Sequence, residues 1–371
     1  LAGALVTSAF AADFNSVVKL SGDIISGTID ITPADSDGSA FNALKLNKGV
    51  VDNNDFITTS FNGDKAGASF NIKLVGADSR TLEVHSVKLW IQPIDMLKIT
   101  FGDQNWEAWN ETTYSYGRKD AWFGDWYGEG DGTGFDFLLT PIAGFEFNLG
   151  FKPGWDTAWL SASVGNCEAK SWNIGVKADL NSYIDLPIAA ILNFKNEAKY
   201  NGSWKRQYTA GVQYNGSPLY AHVVVRVGEK PVEGTYLIDR SMVIDNAFKF
   251  SVDAFTAWLS VPVVIDLDAT PAVNESGLGY VFKAQYALGS ATPYLKLSDV
   301  GDAKDDKGKV RMKTFKDFAF TPAVELGVDF SVGSCSMNIA AKTTVPSFDK
   351  TTGKPTRNMD WSIPFSAKVS F

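Results

Sequence analysis

The sequence has little of what metal centres and disulfide-rich scaffolds need. Its 371 residues include two cysteines and two histidines, and these four residues are scattered along the chain: His85, Cys167, His222 and Cys335. A structural zinc site gathers its Cys and His ligands at short spacings, and a disulfide framework needs more cysteines. The formal charge of −8 also lacks the basic excess that nucleic-acid binding requires. We therefore expect no metal, no cofactor and no nucleic-acid partner.

Long apolar runs are missing as well. No stretch after the first residues approaches the about 18 consecutive apolar residues of a membrane helix. The longest run, LAGALVTSAFAA, lies at 1–12 and contains the A-x-A pattern Ala9-Phe10-Ala11 that signal peptidase cuts. We predict that 1–11 is the remnant of a signal peptide and that 12–371 forms one domain. A buried N-terminal helix or strand is the alternative.

What the sequence does contain is a strict alternation of apolar and polar residues. In 144–152, the side chains of Phe145, Phe147, Leu149 and Phe151 share one face, and similar patterns occupy 171–180, 204–214, 218–227, 278–288 and 320–332. A period of two is typical of strands with one apolar and one polar face. With further strand-like runs, we count roughly sixteen to eighteen strands. A change of phase predicts a β-bulge near Gly22–Gly27.

The connections between these strands are of two kinds. Short junctions lie near 93–95, 140–142 and 215–217, whereas 32–67, 103–133, 228–246, 300–318 and 346–359 are long and polar. Strands of about ten residues match a tilted membrane strand, and the Gly-, Ser-, Thr- and Asn-rich polar face suits a wet lumen. These features together favour a closed antiparallel up-and-down transmembrane β-barrel whose two ends face different compartments.

The last strand carries the most specific motif. Trp361, Ile363, Phe365, Ala367, Val369 and Phe371 alternate with polar residues up to the final position. This pattern resembles the assembly signal of bacterial outer-membrane β-barrels, with Phe371 as the terminal aromatic. The segment Lys88–Gly102 also resembles a hairpin of porin-like outer-membrane proteins of spirochaetes. The resemblance implies a porin in the bacterial outer membrane, surrounded by lipid.

The segment 103–133 is rich in aromatic and acidic residues, including Trp106, Trp109, Trp122 and Trp126. It follows about the fifth strand, where trimeric general-diffusion porins carry the loop that folds into the lumen. That resemblance implies a homotrimer and a constriction whose acidic side is lined by Asp120, Asp125, Glu129 and Asp131, which would favour cations. An external loop packed on itself is the alternative, and a sugar channel lined by the tryptophans is another.

Basic residues on the polar side of strands could line the opposite wall of such a pore. The candidates are Lys177, Lys205, His222, Arg226, Lys283 and Lys368; the alternative is that they are solvated charges with no role in selectivity. Cys167 and Cys335 follow similar Ser-Val-Gly sequences, and a disulfide between them is possible outside the cytoplasm.

These observations predict a porin for the passive diffusion of small polar solutes or ions, and not an enzyme. One alternative is a secreted carbohydrate-binding or carbohydrate-active β-sandwich, in which Glu107 with Asp103, or Glu129 with Asp125, could act as a glycosidase pair. A structural surface-layer protein or adhesin is the other alternative.

Overall fold

The computed structural model describes residues 13–18, 21–30, 43–47, 55–75, 81–103, 133–153, 169–198, 204–231, 238–267, 277–299, 313–314, 322–345 and 360–370. Nearly all of this part of the chain is β-strand, and its one helix, α1, is the four residues Asn181–Ile184. No described helix is long and apolar enough to span a membrane.

The strands are rich in the β-branched and aromatic residues that favour a pleated sheet. The first half of the chain forms β1 (Asp13–Val18), β2 (Ser21–Asp30), β3 (Ala43–Asn47), β4 (Asp55–Asn62), β5 (Ala66–Val75), β6 (Thr81–Ile94), β7 (Leu97–Asp103), β8 (Thr133–Leu139), β9 (Phe145–Pro153), β10 (Ala169–Asp179) and β11 (Ile188–Ala198). The second half forms β12 (Trp204–Asn215), β13 (Leu219–Pro231), β14 (Ile238–Val252), β15 (Phe255–Ser260), β16 (Val263–Asp266), β17 (Gly277–Leu278), β18 (Val281–Tyr286), β19 (Ala291–Asp299), β20 (Lys313–Thr314), β21 (Pro322–Val332), β22 (Cys335–Thr344) and β23 (Asp360–Ser370).

All 23 strands belong to one antiparallel sheet. From β4 to β14, each strand pairs with its successor, and the series continues through β15, β18, β19, β21 and β22 to β23. Several consecutive strands lie along one pass: Phe248 pairs with Leu259 of β15 and Val243 with Val264 of β16, in a single register. Joining β1 with β2, β3 with β4, β15 with β16, β17 with β18 and β19 with β20 in this way gives 18 passes in the described part of the chain.

The two ends of the series meet on one N-terminal segment. β23 pairs with β2, β4 pairs with β1, and two residues separate β1 from β2. Because β2 also pairs with β3, which belongs to the same pass as β4, the first pass lies between the second pass and the last one. This all-β, antiparallel, up-and-down arrangement confirms the predicted fold class. The predicted bulge is confirmed too, because the register between β2 and β23 shifts between Asp23 and Ile25.

Tight connections gather at one end of the sheet. The described turns are 63–65, 95–96, 140–144, 180–187, 216–218, 253–254, 287–290 and 333–334, and each joins one pass to the next. Lys65 of the turn 63–65 forms an ion pair with Asp95 of the turn 95–96. The hydrogen bond from Lys65 and its positive charge hold the pKa of the Asp95 carboxyl below its ordinary value.

One predicted loop is wrong. The polar stretch 228–246 is mostly strand, since β13 continues to Pro231 and β14 begins at Ile238. The register places Glu229 across from Arg240, and Lys230 across from Asp239. Cross-strand pairs of opposite charge stabilise a sheet, so residues that look like a loop in the sequence extend the hairpin. Strands β3 and β4 lie within the polar stretch 32–67, for which the count of sixteen to eighteen strands makes allowance.

The two faces of the sheet have opposite character, as the alternation predicts. Leu149, Leu192 and Val212 on the apolar face are 45%, 62% and 53% exposed, whereas Asn148 on the other face is 2% exposed. A soluble β-sandwich buries its apolar faces between two sheets. Here the apolar face is the open one, and the polar face is turned inward. This inverted burial excludes the sandwich alternative.

Candidate channel walls

The polar face of β8 to β14, which we call the His222 wall, is a network of paired groups. Asn148 donates its side-chain N–H to Asp136, and Asn173 Nδ2 donates to Asn148 Oδ1 at 2.7 Å. Nearby, Lys177 Nζ lies 3.2 Å from Glu146 Oε1. These contacts link three successive strands on the inward side, as expected where buried polar groups must find partners.

A fully buried pair lies at the β13–β14 end of this wall. His222 Nε2 lies 3.3 Å from Asp245 Oδ2, and neither side chain is exposed. The Tyr220 hydroxyl lies 3.0 Å from His222 Nδ1, so both ring nitrogens have a partner. Arg226, two strand positions further along from Val224, is 1% exposed. Charged and polar side chains are therefore covered at this part of the inward face.

The polar face of β15 to β22, which we call the Tyr294 wall, is built around one aromatic ring. A Cβ atom on Gly327 would lie 2.6 Å from Tyr294 Cζ, so only glycine there lets the ring pass over β21 towards β22. The Tyr294 hydroxyl then donates to Glu325 Oε1 at 2.6 Å and accepts from Asn338 Nδ2 at 3.0 Å. The ring is thus held against the wall from three sides.

Lys283 lies over this ring. Its Nζ is 4.6 Å from the centre of the Tyr294 ring and 3.6 Å from Asp329 Oδ2, and the ring centre of Trp258 is 5.9 Å away. Asp329 is tied to the same cluster, because Asn338 Nδ2 donates to its Oδ1 at 2.7 Å. The wall therefore combines an aromatic face, a carboxylate and an ammonium group.

The structure places five of the six predicted basic residues on the inward face. Lys177, His222 and Arg226 lie on the His222 wall, and Lys283 lies on the Tyr294 wall. Lys368 is on the polar face of β23, opposite Ser336, and Lys205 occupies a polar-face register position in β12, opposite Glu197. Their effect on selectivity stays a prediction.

Several predicted residues lie outside the described residues. They are the acidic set Asp120, Asp125, Glu129 and Asp131, the tryptophans Trp106, Trp109, Trp122 and Trp126, and also Cys167 and Phe371. Cys335, at the start of β22, is a free, partly buried cysteine, and the disulfide with Cys167 stays a prediction. The described residues contain no group of three or more His, Cys, Asp or Glu side chains placed to hold a metal ion.

Sequence reasoning missed Tyr294, Asp245 and Asn338. A period of two in β19 and β22 is a signal that could place Tyr294 and Asn338 on the polar face, but it does not mark them as site residues. Asp245 lies within 228–246, which the sequence wrongly predicts as a loop, so it is not assigned to a strand face. Its burial and its pairing with His222 depend on the register of β13 with β14.

Solved structures of bacterial porins share the fold. OccK11 (OpdR) of Pseudomonas aeruginosa matches with a TM-score of 0.52 and 8% identity, over 97% of this chain and 96% of that one. A BenF-like porin from Pseudomonas fluorescens Pf-5 matches with a TM-score of 0.50 and 10% identity, over 97% and 99%. OpdQ of Pseudomonas aeruginosa matches with a TM-score of 0.50 and 8% identity, over 97% and 98%.

The structure therefore has the porin β-barrel fold. These neighbours are bacterial outer-membrane porins, in agreement with the location that the sequence predicts. No family model matches the sequence, and neither does any curated protein. The resemblance of 88–102 to spirochaetal proteins stays a prediction.

Proposed function

We propose that the protein is an outer-membrane porin that lets small hydrophilic solutes or ions diffuse passively through a water-filled lumen. The observation that carries this proposal is the inverted burial of the sheet: Leu192 is 62% exposed on the apolar face, while His222 is 1% exposed on the polar one. A ring of exposed apolar side chains suits lipid, and a closed barrel in lipid leaves no unpaired strand edge.

The number of passes supports an open bore. Side chains fill the interior of a barrel of about eight strands, but barrels of about 16 to 18 strands leave an aqueous channel. With 18 passes among the described residues, the inward polar side chains would line such a channel. Passive diffusion requires neither catalysis nor a bound cofactor, and we assign no enzymatic role.

The constriction remains part of the proposal. The longest undescribed connection, 104–132, follows β7, which is the fifth pass of the sheet. Its acidic residues Asp120, Asp125, Glu129 and Asp131 would filter solutes in favour of cations. Assembly into a homotrimer rests on the resemblance to general-diffusion porins.

Planar lipid bilayers test the channel. Protein refolded in detergent should give stepwise conductance increments, and the same preparation boiled before addition should give none. Migration on a denaturing gel before and after boiling reports whether the added protein is folded, because membrane barrels resist unfolding until heated. Silent bilayers with folded protein would contradict the proposal.

A further inference from the structure

The Tyr294 wall has a feature that a simple water-filled bore does not require: one ammonium group sits between an aromatic face and a carboxylate. Lys283 Nζ lies 4.6 Å from the Tyr294 ring centre and 3.6 Å from Asp329 Oδ2. An ammonium over an aromatic ring is attracted by the ring quadrupole, and the carboxylate adds Coulombic attraction. The position of Lys283 thus shows that an ammonium group is stabilised at this place on the wall.

The direction that Lys283 takes is informative. In the register of β18 with β19, Lys283 lies directly across from Lys296, and like charges in that relation repel. The ammonium group turns away, over Tyr294 and towards Asp329, which belongs to β21. Its side chain is 17% exposed and that of Asp329 is 44% exposed, so this place on the wall can be reached from the lumen.

The ring does not depend on Lys283 for its position. Gly327 leaves the space for it. Its hydroxyl donates a hydrogen bond to Glu325 Oε1 at 2.6 Å and accepts one from Asn338 Nδ2 at 3.0 Å. Removing the Lys283 side chain would therefore leave a ready-made aromatic and acidic surface. Binding to a pre-organised surface avoids the entropy loss of ordering it.

We propose that this surface is a binding site for solutes that carry a primary ammonium group, and that Lys283 is its tethered competitor. The proposal deepens the porin function and rests on it for its role in transport. Conduction requires sites that bind a solute strongly enough to enter and weakly enough to leave. A tethered ammonium acts at a high effective concentration, so it keeps the affinity for a passing solute low.

Calorimetric titration with n-butylammonium tests the site, because this cation has the same four-carbon chain and ammonium group as the lysine side chain. On folded protein in detergent, Lys283→Ala should bind it at least about tenfold more tightly than the original chain, a gain within the range of one aromatic and one charged contact. Adding Tyr294→Leu to Lys283→Ala should remove the gain.

Lys177→Ala is the matched control, because it also removes one positive charge from the inward face. Lys177 pairs with Glu146 at 3.2 Å, and its cross-strand neighbours are Glu146 and Ile191 in place of an aromatic ring. This control should show no tighter binding. Equal affinities in Lys283→Ala and Lys177→Ala would overturn the site, since overall lumen charge would then explain any gain.

Two further measurements keep the result interpretable. Gel migration before and after boiling shows that each variant is folded, and Lys283→Met, which keeps the apolar stem, replaces Lys283→Ala if the latter misfolds. In bilayers, n-butylammonium should block Lys283→Ala at concentrations that leave the original channel open. A Lys283→Ala channel that conducts but is not blocked contradicts the ammonium site and is consistent with the porin function. Silent bilayers contradict the porin function, and calorimetry then still tests the site.

Discussion

His222 Nε2 lies 3.3 Å from Asp245 Oδ2 with both side chains fully buried, which fixes β13 against β14 on the inward face. The contact is diagonal, because the register places His222 across from Ala247 and Asp245 across from Val224. Burying such a pair brings a desolvation penalty that offsets much of the attraction, whereas breaking it leaves an uncompensated charge. Its main effect is to make this one register more favourable than its neighbours.

We expect His222→Leu to lower the free energy of unfolding by about 3–5 kcal/mol, because Asp245 would remain buried without its partner. Urea titration of the folded protein in lipid vesicles measures this. The double variant His222→Leu with Asp245→Leu should recover part of the loss. Lys177→Met is the control for a less buried pair, with side chains 24% and 29% exposed, and should have a smaller effect. A double variant less stable than His222→Leu would contradict this account.

A charge on the apolar face should oppose membrane insertion. Leu89 in β6 is 48% exposed on that face, and Leu89→Arg should destabilise the barrel in lipid by about 2–4 kcal/mol, as arginine does near the bilayer midplane. Ser86→Arg places the same charge on the inward face of the same strand and should have a much smaller effect. The folded fraction after refolding into vesicles is the readout. Equal losses would mean that the two faces do not have different surroundings.

The acidic segment makes a prediction about ion selectivity. Replacing Asp120, Asp125, Glu129 and Asp131 together by their amides should reduce the preference for cations, because the carboxylate charges that attract them are gone. The reversal potential across a salt gradient measures this preference. The paired control neutralises Asp95, which lies in a turn at the opposite end of β7 from this segment. An unchanged reversal potential would remove the four acids from the filter.

Gly102 should be sensitive to any side chain. Its φ of +114° is unfavourable for other residues, and a Cβ atom there would lie 1.9 Å from the Val87 carbonyl oxygen. We expect Gly102→Ala to lower the free energy of unfolding by about 1–3 kcal/mol, measured by urea titration. Gly333→Asn is the control, because its φ is +57° with open space around it and asparagine tolerates that conformation. If both variants behave alike, the close approach of β6 and β7 is not the cause.

The sequence pattern was sufficient for the faces of the strands and insufficient for their partners. A period of two assigns Leu149 and Val212 to the apolar face and His222 and Arg226 to the polar face. Successive side chains of a strand point to opposite faces, so the polarity of each residue reflects the surroundings of its face. The ends of β13 and β14 were missed because Glu229 and Lys230 look like loop residues until the register places Arg240 and Asp239 opposite them.

The Tyr294 cluster shows the same limit for the candidate site. It joins Lys283 of β18, Tyr294 of β19 and Gly327 of β21. Only the pairing of these strands shows that the glycine lies under the ring, and a long connection separates β19 from β21 in the sequence. The alternation says that each residue faces inward, but it does not say that they meet.

The central claim is that the apolar face of the sheet meets lipid and the polar face meets water. Spin labels at successive positions of β6, with the native cysteines replaced by serine, test it directly through collision with oxygen, which concentrates in lipid, and with a water-soluble nickel complex. Labels at Val87, Leu89 and Ile91 should collide mainly with oxygen, and labels at Ser86, Lys88 and Gln92 mainly with the nickel complex. The barrel, and the channel that follows from it, would be contradicted if the labels at all six positions responded alike. They would also be contradicted if the two sets of labels exchanged their collision partners.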